Sequence, residues 1–193
     1  MSTHDRLSRW VAIGAIALMS AASGAALAQT HYGFGKPATQ DQIAGWDIDA
    51  SPDGSGLPPG SGTVEQGKAL YTQLCLACHG ENGKGASAAA LVGGEGTLAT
   101  PKPVRTIGSF WPYASTLFDY INRAMPWDKP QSLKPDEVYA LTAMLLNANK
   151  LVPDDAVMNA QTLPKVRMPN LQSFKAAKNK ENMVPGVRCM KGC

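Results

Sequence analysis

The chain has 193 residues, of which 44% are hydrophobic, 7% aromatic and 17% charged. Its 18 basic and 15 acidic side chains give a formal net charge of +3, so nothing favours nucleic acid or an anionic membrane as a partner. With few aromatic side chains and with 19 glycines and 14 prolines, a core made of protein alone would be thin, and we expect folding to depend on an apolar cofactor.

Residues 1–28 have the pattern of a secretory signal peptide. Arg6 and Arg9 precede an apolar run from Trp10 to Met19, and Ala26-Leu27-Ala28 is a small-x-small cleavage site. A retained membrane anchor is the alternative, but the apolar run is short for a span and is interrupted by glycine and serine. We therefore expect a periplasmic protein whose mature form has no membrane span.

Residues 29–62 are polar and rich in Gly, Pro, Asp and Ser. A short helix is predicted from Thr39 to Trp46, because Thr39 and Gln42 form a capping box. Residues 49–62 look like an extended connector, which is either solvated or docked on something. We expect this N-terminal extension to act as a partner-binding arm.

The first strong helix is predicted to begin at Thr63. Gln66 completes a capping box, and an apolar face runs into Cys75. Gly67 lies on that face and would allow another helix to cross closely.

Cys75-Leu76-Ala77-Cys78-His79 is a C-x-x-C-H motif, which is the attachment site of a covalent c-type haem. One helical turn brings both thiols to the same side, where each can add to a porphyrin vinyl group, and His79 can offer an imidazole nitrogen to the iron. A redox dithiol, half of a zinc site and a structural disulfide are the alternatives. The redox dithiol is weaker because glycines follow the motif at once, where a thioredoxin-like site would have strand and helix patterns. The zinc site is weaker because few other Cys or His residues are near.

Residues 80–103 are predicted to be mostly loop. A helix capped by Ser115 should run to about Ala124, and a last one from Pro135 to Asn147 should pack against the helix that starts at Thr63. Residues 149–193 are polar and broken by prolines, so we expect a C-terminal arm and not a second core.

Met125 is predicted to be the second axial ligand. It lies between the last two helices, where Pro126 stiffens the loop and Trp127 and Trp111 could shield the sulfur from water. His31 is interpreted as a solvated side chain. An iron held by His and Met has no open position, which is typical of a one-electron carrier.

Four further residues have open interpretations. Arg105 and Arg123 could pair with haem propionates or could be solvated surface residues. Cys189 and Cys193 have the spacing of a short-loop disulfide, although a bond to another chain, free thiols or a substrate-carrying cysteine are alternatives.

Together these motifs resemble the class I cytochrome c fold over about residues 63–148. In addition, residues 32–39, 46–49, 56–62 and 123–127 look like the cytochrome subunits of periplasmic sulfite and sulfane dehydrogenases. The resemblance implies an all-α fold of three to four helices around one covalent haem c, with extended N- and C-terminal arms.

The resemblance also implies site residues and a function. Cys75, Cys78, His79 and Met125 would bind the haem, with His79 and Met125 as iron ligands. The family often uses a proline carbonyl to accept the proximal imidazole N–H; here a backbone carbonyl around Ala90 would replace it.

The implied function is that of an electron-transfer subunit, not of a catalytic chain. It would accept electrons from a molybdenum-cofactor dehydrogenase and pass them to a downstream cytochrome or oxidase. A free-standing soluble shuttle to a terminal oxidase is one alternative, and a haem enzyme of sulfur chemistry that uses Cys189 or Cys193 is another. The long segments on both sides of the haem domain favour a subunit that wraps a partner.

Overall fold

A computed structural model describes residues 34–178, with side chains described as far as residue 174. The predictions for the signal peptide, His31, Cys189 and Cys193 lie outside the described residues. Of the described residues, those from 34 to 40 belong to one unit, and those from 41 to 178 form a second, compact unit.

The described residues contain six α-helices, two short strands and two 3₁₀ turns. The helices are α1 (Gln40–Ala44), α2 (Val64–Leu74), α3 (Leu76–His79), α4 (Ala114–Ala124), α5 (Pro135–Ala148) and α6 (Leu171–Lys178). The strands are β1 (Ser61–Thr63) and β2 (Val157–Asn159), and the 3₁₀ turns are Glu81–Gly83 and Leu163–Lys165. The strands pair antiparallel, with Gly62 opposite Met158, so the expected all-α architecture gains a small sheet. In residues 34–178, no helix is long and apolar enough to cross a membrane.

Helix α2 begins where the capping box predicted. The Thr63 hydroxyl accepts a hydrogen bond from the Gln66 N–H at 3.2 Å, and the Thr63 N–H donates to the Gln66 side chain at 2.9 Å. These two bonds satisfy backbone donors that a helix N-terminus otherwise leaves without partners. The start of the helix that leads to the C-x-x-C-H motif is therefore fixed by local sequence.

Helices α2 and α5 pack directly against each other, as predicted. A Cβ placed at Gly67 would overlap the Ala140 carbonyl oxygen and lie 2.6 Å from the Met144 Cβ. The glycine is needed because the backbones approach more closely than any side chain would permit.

The start of α4 differs from the prediction in one respect. Ser115 is not the N-cap; that position belongs to Tyr113, and Ser115 lies fully buried inside the helix. Its hydroxyl donates instead to the Pro52 carbonyl oxygen at 3.2 Å. A serine near a helix start signals a cap from sequence, but here a segment distant in sequence provides its partner.

The core extends beyond the helices into both flanking segments. Leu57 packs against it from the N-terminal side, and the buried Tyr139 donates its hydroxyl to the Pro58 carbonyl oxygen at 2.8 Å. From the C-terminal side, Leu163 is fully buried, and Met158 and Met168 are buried with it. The connector before Thr63 is thus docked on the domain. The segment after α5, which was expected to be an arm, contributes to the same core.

Candidate functional site

The C-x-x-C-H motif lies where α2 ends and α3 begins. The Cys75 N–H donates to the Tyr71 carbonyl oxygen at 2.9 Å, which completes the last turn of α2. The Cys75 carbonyl then accepts hydrogen bonds from the N–H groups of Cys78 at 3.2 Å and His79 at 2.9 Å. The two cysteines and the histidine therefore share one turn of backbone.

Both motif cysteines are free thiols. Burial, together with the neighbouring Cys78, raises the pKa of Cys75 to about 11, so this thiol stays protonated near neutral pH. A redox dithiol needs a lowered thiol pKa, which makes that alternative weaker. Within residues 34–178, no group of three or more His, Cys, Asp and Glu side chains is placed to hold a metal ion.

The orientation of His79 is set by a backbone carbonyl. The Nδ1 atom of His79 lies 3.0 Å from the Ala89 carbonyl oxygen. Because a carbonyl oxygen can only accept, Nδ1 is the protonated nitrogen and Nε2 keeps its lone pair for a metal. The accepting carbonyl was expected around Ala90, and the structure places it at Ala89.

The loop after the motif folds back over it. The Gly85 N–H donates to the His79 carbonyl oxygen at 2.8 Å, and the Ala88 N–H donates to the Cys78 carbonyl oxygen at 2.8 Å. The Tyr71 hydroxyl donates to the Gly80 carbonyl oxygen at 2.8 Å. Gly80 has a φ of +72°, and a Cβ there would lie 2.5 Å from the Gly85 carbonyl oxygen. This tight turn brings Ala89 back to His79.

Asn149 stabilises the same loop and was not anticipated from the sequence. It is buried at the end of α5, where its amide nitrogen donates to the carbonyl oxygens of Leu145 at 2.8 Å and Leu91 at 3.2 Å. Its side-chain oxygen accepts from the Gly93 N–H at 3.4 Å. An asparagine at a helix C-terminus is common, so the sequence carries no signal for this cross-link.

Met125 lies directly after α4. Its N–H donates to the Ile121 carbonyl oxygen at 3.1 Å, and its backbone is extended. The side chain is half-buried and packs against the same core as Cys75. Met144 and Met168 are instead buried within that core, which leaves Met125 as the methionine in the predicted loop between the helices.

Two tryptophans were expected to shield the Met125 sulfur and two arginines to pair with the propionates, and these side chains differ in exposure and in partners. Trp111 is partly buried and meets Tyr120 edge to face at 5.7 Å between ring centroids. Trp127, expected to shield the sulfur, is 82% exposed. Arg123 is paired with Asp49 and Asp119, so both arms of its guanidinium already have carboxylate partners.

Arg105, the other arginine considered for a propionate, lies against an aromatic ring. Its guanidinium lies 5.4 Å from the centroid of the Phe110 ring, and such stacking leaves the edge of the guanidinium able to donate hydrogen bonds.

Taken together, the donor set fits a covalently bound haem c. Two free thiols share one turn with an imidazole whose Nε2 is available, and a thioether lies at the border of the same core. Two thiols would form the thioether links, while imidazole and thioether are established axial ligands of haem iron.

Comparison with known proteins agrees with this chemistry. The family described as "Cytochrome C oxidase, cbb3-type, subunit III" matches residues 62–145. A chain in the "Crystal Structure of the Sulfane Dehydrogenase SoxCD from Paracoccus pantotrophus" is 42% identical, with a TM-score of 0.71 over 84% of this chain and 82% of that one. A search of curated proteins found no significant match. The chain therefore belongs to the c-type cytochromes and is related to a chain of the sulfane dehydrogenase SoxCD, as the sequence motifs predicted.

Proposed function

We propose that this protein is a periplasmic monohaem cytochrome of class I that serves as the electron-transfer subunit of a molybdenum-dependent sulfite or sulfane dehydrogenase. The cytochrome c domain and the likeness to SoxCD support electron transfer. We propose in addition that the protein is periplasmic, that it carries a single haem, and that its catalytic partner is a molybdenum enzyme.

The observation that carries the proposal is the hydrogen bond between His79 Nδ1 and the Ala89 carbonyl oxygen at 3.0 Å. It fixes the tautomer and points the other ring nitrogen away from the loop, one residue after the second of two free thiols. With Nδ1 donating to the carbonyl oxygen, Nε2 keeps its lone pair and is available as an iron ligand.

Each residue of the site has a separate task. Cys75 and Cys78 would anchor the porphyrin through thioether bonds, while His79 and Met125 would ligate the iron. A bound haem c supplies an iron that gains and loses one electron. With Met125 as a second protein ligand beside His79, small molecules would be kept from the metal and the site would be confined to electron transfer.

The N-terminal segment supports a partner-binding role. Trp46 is 87% exposed, and Ile43 on α1 is also exposed. A large exposed aromatic residue beside an aliphatic one is typical of protein interfaces, in which tryptophan is enriched.

The haem assignment is tested with the full chain, produced in a host that attaches c-type haem. We expect one iron per chain, pigment that stays with the polypeptide in acidified organic solvent, and no binding of carbon monoxide by the reduced protein. Cys75→Ser and Cys78→Ser should each lose one thioether link, whereas Cys189→Ser, as a matched control, should lose none. Pigment that washes out of the unmodified protein would overturn the assignment.

The partner is tested by affinity purification from the native periplasm, followed by molybdenum analysis. We expect a molybdenum protein to copurify, and sulfite or thiosulfate to reduce the cytochrome only in its presence. Recovery of the cytochrome without such a protein would favour a free-standing shuttle, and turnover by the isolated chain would favour a haem enzyme.

A further inference from the structure

A charged network ties the end of α4 to the segment before β1. Asp119 is only 7% exposed, and its two carboxylate oxygens have different partners. One accepts from the Ala50 N–H at 2.9 Å, and the other accepts from Arg123 at 2.5 Å. The second arm of the Arg123 guanidinium donates to Asp49 at 2.7 Å. We refer to Asp49, Asp119 and Arg123 as the aspartate–arginine network.

The network lies next to the proposed sulfur ligand along the chain. Arg123 occupies the last turn of α4, two residues before Met125, whose N–H donates to Ile121 in the same turn. One helical turn before Asp119, Ser115 donates to the Pro52 carbonyl oxygen. One face of α4 is therefore attached to residues 49–52 from near its start to its end.

The burial of Asp119 indicates what the network contributes to the protein. A largely buried carboxylate is costly to desolvate, and replacing a whole buried ion pair by apolar side chains of similar size is often neutral or stabilising. What hydrogen-bonded charges add is a defined geometry, because both oxygens of Asp119 and both arms of Arg123 have fixed partners. We therefore interpret the network as a device that fixes the position of the end of α4, and not mainly as a source of stability.

We propose that the aspartate–arginine network positions Met125, by holding the last turn of α4 where the thioether reaches the iron. This inference rests on the proposed function, since it takes Met125 as the second axial ligand. The three network residues act through the helix and do not touch the metal.

The test compares variants of the full-length holoprotein. Asp119→Ala removes the centre of the network, whereas Asp49→Asn removes one charge at a side chain that is 68% exposed and so should not disturb folding. Glu65→Gln is the matched control, because it breaks an exposed helical ion pair with Lys68, 3.8 Å apart, on α2. Met125→Ala serves as the reference for a lost sulfur ligand.

Three readouts report on the sulfur–iron bond: the sulfur-to-iron charge-transfer band of the oxidised protein, the midpoint potential and the affinity for added imidazole. We expect Asp119→Ala to bind imidazole roughly tenfold more tightly, which corresponds to about 1.4 kcal/mol, with a weaker band and a lower potential. Asp49→Asn should change all three in the same direction but less, and Glu65→Gln should change none.

The outcomes separate this inference from the proposed function. If Met125→Ala keeps the band and the imidazole affinity of the unmodified protein, Met125 is not the ligand and both fail. If Met125→Ala loses the band while both network variants retain all three properties, only the positioning role is overturned. Should Asp119→Ala fail to fold, Asp49→Asn decides the matter by the same criteria.

Discussion

His79 is held at three points, and all three partners are backbone groups. Its N–H donates to Cys75, its carbonyl accepts from Gly85 and its Nδ1 donates to Ala89. The orientation of the ring therefore depends on the path of the loop that follows it. Side chains affect the imidazole indirectly, through the contacts that hold this loop.

Tyr71 provides one of those contacts, and Tyr71→Phe tests it. The change removes the donor to the Gly80 carbonyl oxygen and keeps the buried ring. We expect the free energy of unfolding of the holoprotein to fall by about 1 kcal/mol, as measured by denaturant titration. Tyr120→Phe, at a half-exposed position, is the control and should change it by less than about 0.5 kcal/mol. Equal losses for both variants would contradict this role of Tyr71.

Tyr139 gives the protein a predictable sensitivity to alkali. Burial raises the pKa of its phenol from about 10 to about 12. The folded state therefore retains the Tyr139 proton more strongly than the unfolded state does. The contribution of protonated Tyr139 to the free energy of unfolding is complete below about pH 10 and is lost as the pH rises towards 12. The free energy of unfolding should therefore fall across this range.

The measurement is a series of denaturant titrations between about pH 8 and 12. Tyr139→Phe should remove much of the alkaline loss, although it also removes the hydrogen bond to Pro58. Its stability should be lower at pH 8 and should depend less on pH above 10. Parallel curves for the two proteins would show that other groups dominate the alkaline transition.

At the scale of elements, the crossing of α2 and α5 organises the domain. At this crossing, Gly67 on α2 lies against the Ala140 backbone and the Met144 Cβ on α5. Because α2 leads directly into Cys75, this crossing also determines where the C-x-x-C-H turn leaves the helix pair.

Gly67→Ala should separate these helices. Alanine favours a helix over glycine by about 1 kcal/mol, but the added methyl would meet the Ala140 carbonyl, which cannot rotate away as a flexible side chain can. Overpacking costs about 1–3 kcal/mol, so we expect a net destabilisation of about 1–2 kcal/mol in thermal or denaturant unfolding.

Gly45→Ala is the matched control for this substitution. A Cβ at Gly45 would make only ordinary contact, 3.7 Å from the Asp41 carbonyl oxygen. Its free energy of unfolding should stay within about 0.5 kcal/mol of the unmodified protein. An increase in stability for Gly67→Ala would mean that the two helices do not approach as closely as described.

At the scale of the whole molecule, segments on both sides of the helices complete one core. A domain with few aromatic residues gains buried apolar area by drawing in Leu57 from one side and Leu163 and Met168 from the other. Each fully buried aliphatic side chain contributes about 1.5–3 kcal/mol, so we expect these flanking segments to add to the stability of the helical domain.

Leu163→Ala tests whether the segment after α5 belongs to the core. Leu163 is fully buried, so its truncation should cost about 2–5 kcal/mol in the free energy of unfolding. Val157→Ala, at an exposed position of the same segment, should cost less than about 1 kcal/mol. A small effect at both positions would restore the interpretation of this segment as a solvated arm.

The sequence by itself determined the features that depend on short-range interactions. The capping box of α2, the end of α4, the bounds of α5 to within a residue, and the spacing of the C-x-x-C-H motif all arise from residues a few positions apart. Helical periodicity and capping hydrogen bonds act over that range, so they can be recognised without a fold.

Only the tertiary structure decided which distant groups meet. Arg123 and Asp49 are 74 positions apart in sequence, and Asn149 and Leu91 are 58 apart. Each of these side chains has many possible polar partners, and the choice depends on where the packed helices bring the backbone. For the same reason, the sequence could place the carbonyl that orients His79 only approximately, and the fold places it at Ala89.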